Sequence, residues 1–506
     1  MNEQNSLLSS QHRVLDLCEG QGHLCGKILG DLGADVIQIE KPGGDPARKI
    51  GPFYNDDPDP EKSLWWFAFN MHKRGITLDI ETEEDRELFK KMVSSADFVI
   101  ESFEPGYMDS LGLGYAELEK INPRVILVSV NAFGQTGPYA HYKATDLVLM
   151  SMGGQAFMAG DDDRPPVQIS YPHAWHFAAL HACVGAMNAH YWRELTGQGQ
   201  YVDSSGQAGV VWTNMSANVT WDLTGVNVTR GGAIRRIERP NADGTTTELI
   251  ARITYPCKDG YVFSFFTGGP VAGTRFKIFV DWMHEDGMAP NWMRELDWVN
   301  EYDAATVTQE FIDRKDEAII PFLKQYTMME LYEDAIIRNF WLVPIGTPKS
   351  VFEDKQLAYR KFWEKIEHPE LNDTLTYPGW PIKQSETPWR LQRRAPLIGE
   401  HNEEIKSQIE TAREMKVIDY PSKKKSEQIF EGLKVLDLTW VGVGPITIKN
   451  LADHGAFVIH VESHTKPEAL RLSPPFKDGE MDIDKAAFMA NFNSSKYGIS
   501  LNLNKK

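Results

Sequence analysis

The chain has 506 residues, of which 42% are hydrophobic and 25% are charged, and its formal net charge is -18. This size predicts more than one hydrophobic core, in about two to four domains. The acidity argues against a nucleic-acid-binding protein, because binding to phosphate backbones needs a basic face. No apolar run approaches the roughly 18 residues of a membrane span, and the first residues lack a signal peptide. We therefore predict a soluble cytoplasmic protein, and the scattered cysteines predict neither a zinc site nor a disulfide framework.

In chain order, the first two hundred residues alternate apolar strands with helical stretches, which predicts βαβ units on a parallel sheet. The predicted strands are VLDL (14–17), VIQIE (36–40), GITLDI (75–80), FVIESF (98–103) and VILVSV (125–130). The loop Gly20-Gln21-Gly22 and the later Glu40 are similar to the start of a nucleotide-binding Rossmann fold. The GxGxxG pattern is absent, so a dinucleotide site is disfavoured.

A long helix is predicted at about 172–195, and a strand hairpin at 255–266 within a mixed segment. We therefore predict an α/β fold, with a Rossmann-like large domain on a parallel sheet and a smaller mixed α/β domain. The predicted segments are 1–205 for the first part of the large domain, 206–355 for the small domain, 356–402 for a return to the large domain, 403–432 for a charged linker and 433–506 for the start of a second module.

The chain contains two ordered internal matches, which predict a module repeated in tandem. Residues 14–40 match residues 435–462, and residues 67–80 match residues 489–503. Between the copies lies a Lys- and Glu-rich linker that includes Lys423-Lys424-Lys425. A half-built α/β unit leaves a parallel sheet uncovered. We therefore expect either a fragment of a longer tandem protein or a tail that pairs with another chain.

Eight blocks in one order resemble the class III CoA-transferases (formyl-CoA transferase and carnitine dehydratase-like, CaiB/BaiF). They are residues 14–48, 70–80, 96–115, 122–138, 153–160, 193–203, 254–262 and 395–401, with TGQGQYVD and ESFEPG the most specific. The resemblance implies a large domain built from both ends of the module, a small domain in the middle, and interlocked homodimers. A tandem chain could form the corresponding pseudo-dimer within one polypeptide.

The family's chemistry implies an Asp nucleophile that attacks an acyl-CoA and forms a mixed anhydride, followed by an aspartyl-CoA thioester. Counting back from Thr196-Gly197 places that position at Trp175, so no catalytic residue is expected in this chain. His173, His176 and His181 are alternative bases, although histidines that line a helix are more often structural. The working Asp would then belong to a second copy.

The resemblance also implies a site for coenzyme A, bound as an acyl-CoA substrate, with no metal. The residues implied are Gln21, Lys41, Arg48, Lys73, Arg74 and Phe103. Ser102 stands where the family usually has Asn, which weakens the prediction for the adenine side. Two simpler interpretations stay open: Lys41 and Arg48 as ordinary surface charges, and Phe103 as core packing.

The second substrate is expected to be a small carboxylic acid. The chain has 14 Trp, including Trp65, Trp66, Trp175, Trp212, Trp221 and Trp380. Indole faces attract onium cations, and the tandem form resembles dimethylsulfoniopropionate CoA-transferase/lyases. Trp as core packing, a catalytically silent scaffold half, an α-methylacyl-CoA racemase-like isomerase and a nicotinamide-dependent dehydrogenase are the alternatives.

Overall fold

The computed structural model describes residues 8–20, 22–161, 163–240, 246–268, 272–302, 306–411 and 428–504. Gln21 and the run Lys423-Lys424-Lys425 lie outside the described residues. The chain divides into two compact units. The first comprises Met1–Ala156, Gln168–Val228 and Phe362–Lys506, and the second comprises Phe157–Val167 and Thr229–Lys361.

A parallel six-stranded sheet forms the centre of the first unit, as the alternation of strands and helices predicts. Its strands are β1 (Arg13–Leu17), β2 (Asp35–Glu40), β3 (Arg74–Thr77), β4 (Phe98–Glu101), β5 (Ile126–Asn131) and β6 (Tyr201–Ser205). Their spatial order is β3-β2-β1-β4-β5-β6. Strands buried on both faces read as continuous apolar runs, and β4 and β5 are buried at every residue.

In the described part of residues 8–228, ten α-helices lie between or after these strands along the chain. They are α1 (Leu24–Asp31), α2 (Leu64–Phe69), α3 (Glu83–Val93), α4 (Tyr107–Ser110), α5 (Tyr115–Ile121), α6 (Asp146–Met152), α7 (Gln155–Met158), α8 (His173–Thr196), α9 (Gly206–Thr213) and α10 (Met215–Thr224). The long predicted helix is α8, and α9 and α10 also belong to the first unit.

Helix α8 packs closely on the sheet because its buried face is built from alanines. Ala178, Ala182 and Ala186 are fully buried against β5, whose Ile126 and Val128 are in the same core cluster. Their spacing of four residues places them on one side of the helix. Gly197 ends the helix in a left-handed conformation with φ of 80°, which glycine adopts without steric cost.

The second unit combines short antiparallel sheets with helices. Its elements are β7 (Ile234–Pro240), β8 (Thr246–Arg252), β9 (Thr254–Pro256), β10 (Tyr261–Phe263), α11 (Gly273–Glu285), α12 (Asn291–Glu295), α13 (Gln309–Leu323), α14 (Met328–Arg338), β11 (Val343–Pro344), α15 (Pro348–Phe352) and α16 (Lys355–Tyr359). The predicted hairpin is the antiparallel pair β9–β10. An aromatic cluster that includes Phe276, Phe279 and Trp282 forms its core.

The remaining elements belong to the first unit. They are β12 (Trp363–His368), β13 (Asp373–Pro378), α17 (Asn402–Thr411), β14 (Lys434–Asp437), α18 (Val443–Asp453), β15 (Phe457–Glu462), α19 (Ala487–Phe492) and β16 (Tyr497–Ser500). Strands β14, β15 and β16 form a separate parallel sheet in that order. Among the helices of the described residues, none is long and apolar enough to cross a membrane.

Candidate functional site

The strand order reverses between β1 and β4, and open α/β sheets bind ligands in the crevice beyond the carboxyl ends of such strands. Here the loops that follow β1 and β4 contact each other. The backbone N–H of Glu19 donates to Ser102 Oγ at 2.9 Å. A Cβ added to Gly22 would lie 3.2 Å from Ser102 Cβ. The reversal point is therefore narrow, and glycine lets the two loops approach.

Asp45 holds the loop after β1 in place. Its Oδ1 accepts a hydrogen bond from the Gly20 N–H at 3.1 Å and lies 3.2 Å from His23 Nε2. Burial would raise the pKa of Asp45, but His23 and the backbone donors of Ala47 and Gly20 lower it overall. Helix α1 begins directly after this loop, so its positive N-terminal end lies at the carboxyl edge of the sheet.

Two of the residues predicted to bind CoA, Lys41 and Phe103, lie at this edge and are linked through Glu81 and Tyr107. Lys41 Nζ is 2.9 Å from Glu81 Oε1, and the Lys41 side chain is 46% exposed. Tyr107 donates from its hydroxyl to the same Glu81 oxygen at 2.8 Å, and its ring lies 4.8 Å from the Phe103 ring. Lys41 is thus an accessible cation beside an aromatic pair.

Arg48, Lys73 and Arg74 are instead buried in internal ion pairs. Arg48 binds both carboxylate oxygens of Glu40 at 2.7 and 2.8 Å and lies 3.8 Å from the centre of the Trp66 ring. Lys73 Nζ contacts Asp16 Oδ2 at 2.7 Å. Arg74 donates two bonds to Asp35, at 2.6 and 2.9 Å. These side chains hold strands and loops together, and they are not grouped with Lys41 and Phe103.

The C-terminal sheet repeats two of these ion pairs. Arg471 binds Glu462 through Nη2 at 2.6 Å, as Arg48 binds Glu40. Lys496 Nζ is 2.9 Å from Asp437 Oδ2, as Lys73 is from Asp16. The Lys–Asp pair is buried in both sheets, and the Arg–Glu pair is buried in the first sheet and partly buried in the second, so both pairs are features of the framework.

Trp175 lies in the first turn of α8, and its half-buried side chain packs on a cluster that includes Leu149 and Val210. Asp146 holds this turn from another helix: its Oδ1 accepts the Ala174 N–H at 2.8 Å. Burial raises the pKa of Asp146, and its Oδ2 is buried without a hydrogen-bond partner among the described residues. Sequence inspection missed Asp146, because nothing local shows that it reaches α8.

The predicted histidines and tryptophans are only partly brought together. Trp65, Tyr171 and His176 form a cluster, with ring centres 5.9 to 6.1 Å apart. Burial, helped by His173, lowers the pKa of His176 to about 4. Elsewhere, His181 contacts Trp212 with ring centres 5.0 Å apart. The pKa of His181 is lowered by burial.

A second group that sequence inspection missed surrounds Glu101, at the end of β4. Ser129 donates to Glu101 Oε1, and the Phe103 N–H donates to Glu101 Oε2 at 2.7 Å. Tyr201 donates to Ser129 Oγ at 3.0 Å. Burial raises the pKa of Glu101 to about 7, although Ser129 and Phe103 act against it. Glu101, Ser129 and Tyr201 line a cavity of about 530 Å³. The hydrogen bond from the Phe103 N–H ties the Glu101 carboxyl group to the loop after β4.

Among the described residues, no cluster of three or more His, Cys, Asp or Glu side chains is arranged to hold a metal ion. The arrangement at the carboxyl edge offers a lysine, a helix N-terminus and an aromatic pair. Lysine and helix N-termini are suited to phosphate groups.

Comparison with known proteins identifies the family. The profile of CoA-transferase family III matches residues 10–402 and 430–506. The chain is 34% identical over 396 residues to succinyl-CoA:(R)-benzylsuccinate CoA-transferase subunit BbsE of Thauera aromatica, covering 78% of this chain and 93% of that protein. It is 31% identical over 388 residues to succinyl-CoA–D-citramalate CoA-transferase of Chloroflexus aurantiacus, covering 76% and 89%. A solved CAIB/BAIF family protein from Brucella suis matches with a TM-score of 0.65 and 27% identity, covering 80% of this chain and 100% of that one. The chain therefore belongs to CoA-transferase family III, the class III CoA-transferases, as its motifs predict.

Proposed function

We propose that this chain works in a two-module CoA-transferase, with its first module as the half that lacks the nucleophile. The observation that carries this proposal is Trp175 in the first turn of α8, at the position where counting back from Thr196-Gly197 places the family's Asp. An indole cannot attack a thioester, whereas a carboxylate can. Asp146, the carboxylate bonded to this turn, is already engaged by the Ala174 N–H. Acyl transfer therefore depends on a carboxylate from another module.

Within this proposal, CoA binds at the carboxyl edge of the six-stranded sheet. Lys41 contacts a phosphate as a point charge, and Phe103 contacts the nucleotide beside Tyr107. Gln21 keeps its predicted role in the loop after β1. Arg48, Lys73 and Arg74 serve the framework instead, because their charges are neutralised by Glu40, Asp16 and Asp35.

The tandem arrangement is part of the proposal. Two features recur in the two parallel sheets: the Arg–Glu pair and the Lys–Asp pair. The two family matches, 10–402 and 430–506, support the same interpretation. We infer an intramolecular pseudo-dimer, with a homodimer as the alternative.

The four cysteines are free thiols, which supports a cytoplasmic location.

For the substrates, we propose succinyl-CoA as the donor and a small carboxylic acid as the acceptor. Succinyl-CoA stands in the names of five relatives, together with benzylsuccinate, citramalate, mesaconate (twice) and L-malate. Dimethylsulfoniopropionate, with lyase activity, is the second candidate acceptor. The cluster of Trp65, Tyr171 and His176 favours it, because aromatic faces bind onium cations. A racemase-like reaction would need a His/Asp pair for proton transfer, and Trp175 stands where the Asp of that pair would be. This disfavours a racemase-like reaction for the first module.

Restoring the nucleophile tests the proposal. In Trp175→Asp, the new carboxylate would attack the thioester carbonyl of succinyl-CoA, forming a mixed anhydride and releasing CoA thiolate. The thiolate would then attack the aspartyl carbonyl of the anhydride, forming an aspartyl-CoA thioester and releasing succinate. Intact-protein mass spectrometry should show a hydroxylamine-sensitive adduct on Trp175→Asp and none on the native chain. Trp212→Asp, at an exposed tryptophan of α9, is the matched control and should also show none.

Two outcomes would contradict the proposal. An adduct on a carboxylate of the native chain would mean that the first module has its own nucleophile. A Trp175→Asp chain that binds CoA but forms no adduct would mean that position 175 is not the nucleophile position.

A further inference from the structure

A cavity in the second unit holds one cation among aromatic side chains. Its volume is about 290 Å³, and it is lined by Phe265, Ala272, Arg275, Phe276, Phe340 and Trp341. Phe276 and Phe340 are buried, whereas Phe265 and Trp341 are exposed. Ligand pockets are mostly apolar clefts of about 300–1,000 Å³, in which a few polar groups orient the ligand. The cavity has this character, at the lower end of that size range.

The surrounding core fixes the aromatic walls of the cavity. The rings of Phe276 and Phe340 both stack on the buried Phe279, with ring centres 6.1 and 5.1 Å apart. The buried Ser264 donates from its hydroxyl to the Trp341 carbonyl at 2.5 Å, which fixes the main chain at Trp341. Walls that are already ordered lower the entropy cost of binding a ligand.

Arg275 is the cation of this cavity, and it lies in the first turn of α11. Its guanidinium carbon is 4.3 Å from the centre of the Trp341 ring. A guanidinium that stacks on an aromatic face keeps its N–H donors, which point outward in its own plane, for an anion. Among the described residues, no carboxylate pairs with Arg275. The cavity therefore contains a positive charge that no described side chain neutralises.

Two other arginines in the described part of the second unit also stack on tryptophans, but neither lines the cavity. Arg338 is already paired with Glu285, at 2.6 Å. Arg314 lies 4.4 Å from the centre of the Trp292 ring and is exposed. Of these three arginines, Arg275 is the one that combines a free charge with an apolar cavity. Stacking on a tryptophan alone does not make a site.

We propose that this cavity binds a carboxylic acid with an aromatic body. The planar fork of the Arg275 guanidinium donates to both carboxylate oxygens. The aromatic body lies against Phe276, Phe340 and Trp341. A phosphate group is less suited, because the other lining side chains offer only the indole N–H of Trp341 as a further donor. This inference goes beyond the proposed function, since the binding depends neither on CoA nor on Trp175.

Isothermal titration of phenylacetate into the full 506-residue chain, without CoA, tests this site. The native chain should show saturable binding. Arg275→Gln should weaken binding about tenfold or more, because the carboxylate loses its charged donor. Arg275→Lys should fall between the two, since lysine keeps the charge and loses the fork. Arg314→Gln removes a stacked arginine outside the cavity and should bind like the native chain.

Phenylacetamide, an uncharged analogue of phenylacetate, separates charge recognition from apolar contact without any variant. The native chain should bind this amide about tenfold more weakly than phenylacetate, and Arg275→Gln should bind the amide like the native chain. Thermal unfolding without ligand checks that each variant is folded.

Three results would overturn the proposal. They are absence of binding at millimolar phenylacetate, equal affinities of the native chain for phenylacetate and its amide, and equal phenylacetate binding by the native chain and Arg275→Gln. None of them bears on the proposed function, because neither CoA nor acyl transfer enters the experiment.

Discussion

At the scale of single residues, Arg48 and Lys41 show that two neighbouring cations serve different purposes. Arg48 is 1% exposed, with its guanidinium shared by Glu40, Glu61 and the Pro396 carbonyl. Lys41 has one surface partner, Glu81. A surface ion pair contributes about 0–1 kcal/mol. The removal of one partner of a buried pair costs about 3–5 kcal/mol.

We expect Arg48→Ala to lower the free energy of unfolding by about 3–5 kcal/mol, because Glu40 would stay buried without its partner. Lys41→Ala should change it by less than about 1 kcal/mol. Urea unfolding of the two variants measures both effects. Equal stability of the two variants would show that the Arg48 fork does not hold the fold.

Glu101 predicts a dependence of stability on pH. Its pKa in the folded chain is about 7, above the ordinary 4.5, because the side chain is buried. Between these values the folded state binds more protons than the unfolded state, so the free energy of unfolding falls as pH rises. The whole effect is about 3 kcal/mol. At pH values below the ordinary pKa of Glu, the contribution of protonated Glu101 to the free energy of unfolding is fully present.

Glu101→Gln should flatten this pH dependence, because the amide mimics the protonated carboxyl group. Urea unfolding at about pH 5 and about pH 8 should show that Glu101→Gln gains stability relative to the native chain at the higher pH. The buried histidines with lowered pKa, such as His176, contribute equally to both chains and cancel in this comparison. Glu104→Gln, at a neighbouring residue of the same cavity, is the control and should keep the native dependence. A native profile in Glu101→Gln would rule out this carboxyl as the cause.

At the scale of elements, the position of α1 depends on a glycine packed over an ion pair. A Cβ added to Gly26 would lie 2.0 Å from Asp16 Oδ2, in the buried Asp16–Lys73 pair. At Gly30 on the same helix, the nearest atom would be His72 Cβ at 3.0 Å. We expect Gly26→Ala to lower the free energy of unfolding by about 1–3 kcal/mol, and Gly30→Ala to lower it less. Thermal unfolding compares the two variants, and the opposite ranking would contradict this packing.

Elements with local signals could be predicted from the sequence, and contacts between distant elements could not. The end of α8 is visible in Thr196-Gly197, because glycine accepts the left-handed conformation found there. Asp146 lies 28 residues from Ala174, and only the folded chain shows that it holds the first turn of α8. For the same reason the sequence could not show that Arg48 is buried and Lys41 exposed.

At the scale of the whole molecule, the family and the parallel α/β architecture were both predictable. The family depends on motifs spread over the chain, and the matched residues 10–402 and 430–506 confirm it. The parallel sheet follows from alternating strands and helices, and six strands form it. Three points stay predictions, because they depend on partners outside the described residues: the tandem arrangement, the pseudo-dimer and the identity of the acceptor acid.

In this account Lys41 contacts CoA, whereas Arg48, Lys73 and Arg74 hold the fold together. A CoA-binding experiment tests the site at Lys41 directly. Isothermal titration of CoA into the native chain should show binding that weakens with salt, since a phosphate contact is electrostatic. Lys41→Glu should bind about tenfold more weakly, because it reverses the charge at the carboxyl edge. Lys120→Glu, which reverses an exposed lysine paired with Glu117 on α5, should bind like the native chain. A native chain that binds no CoA, or equal affinities of Lys41→Glu and Lys120→Glu, would contradict a CoA site at this edge.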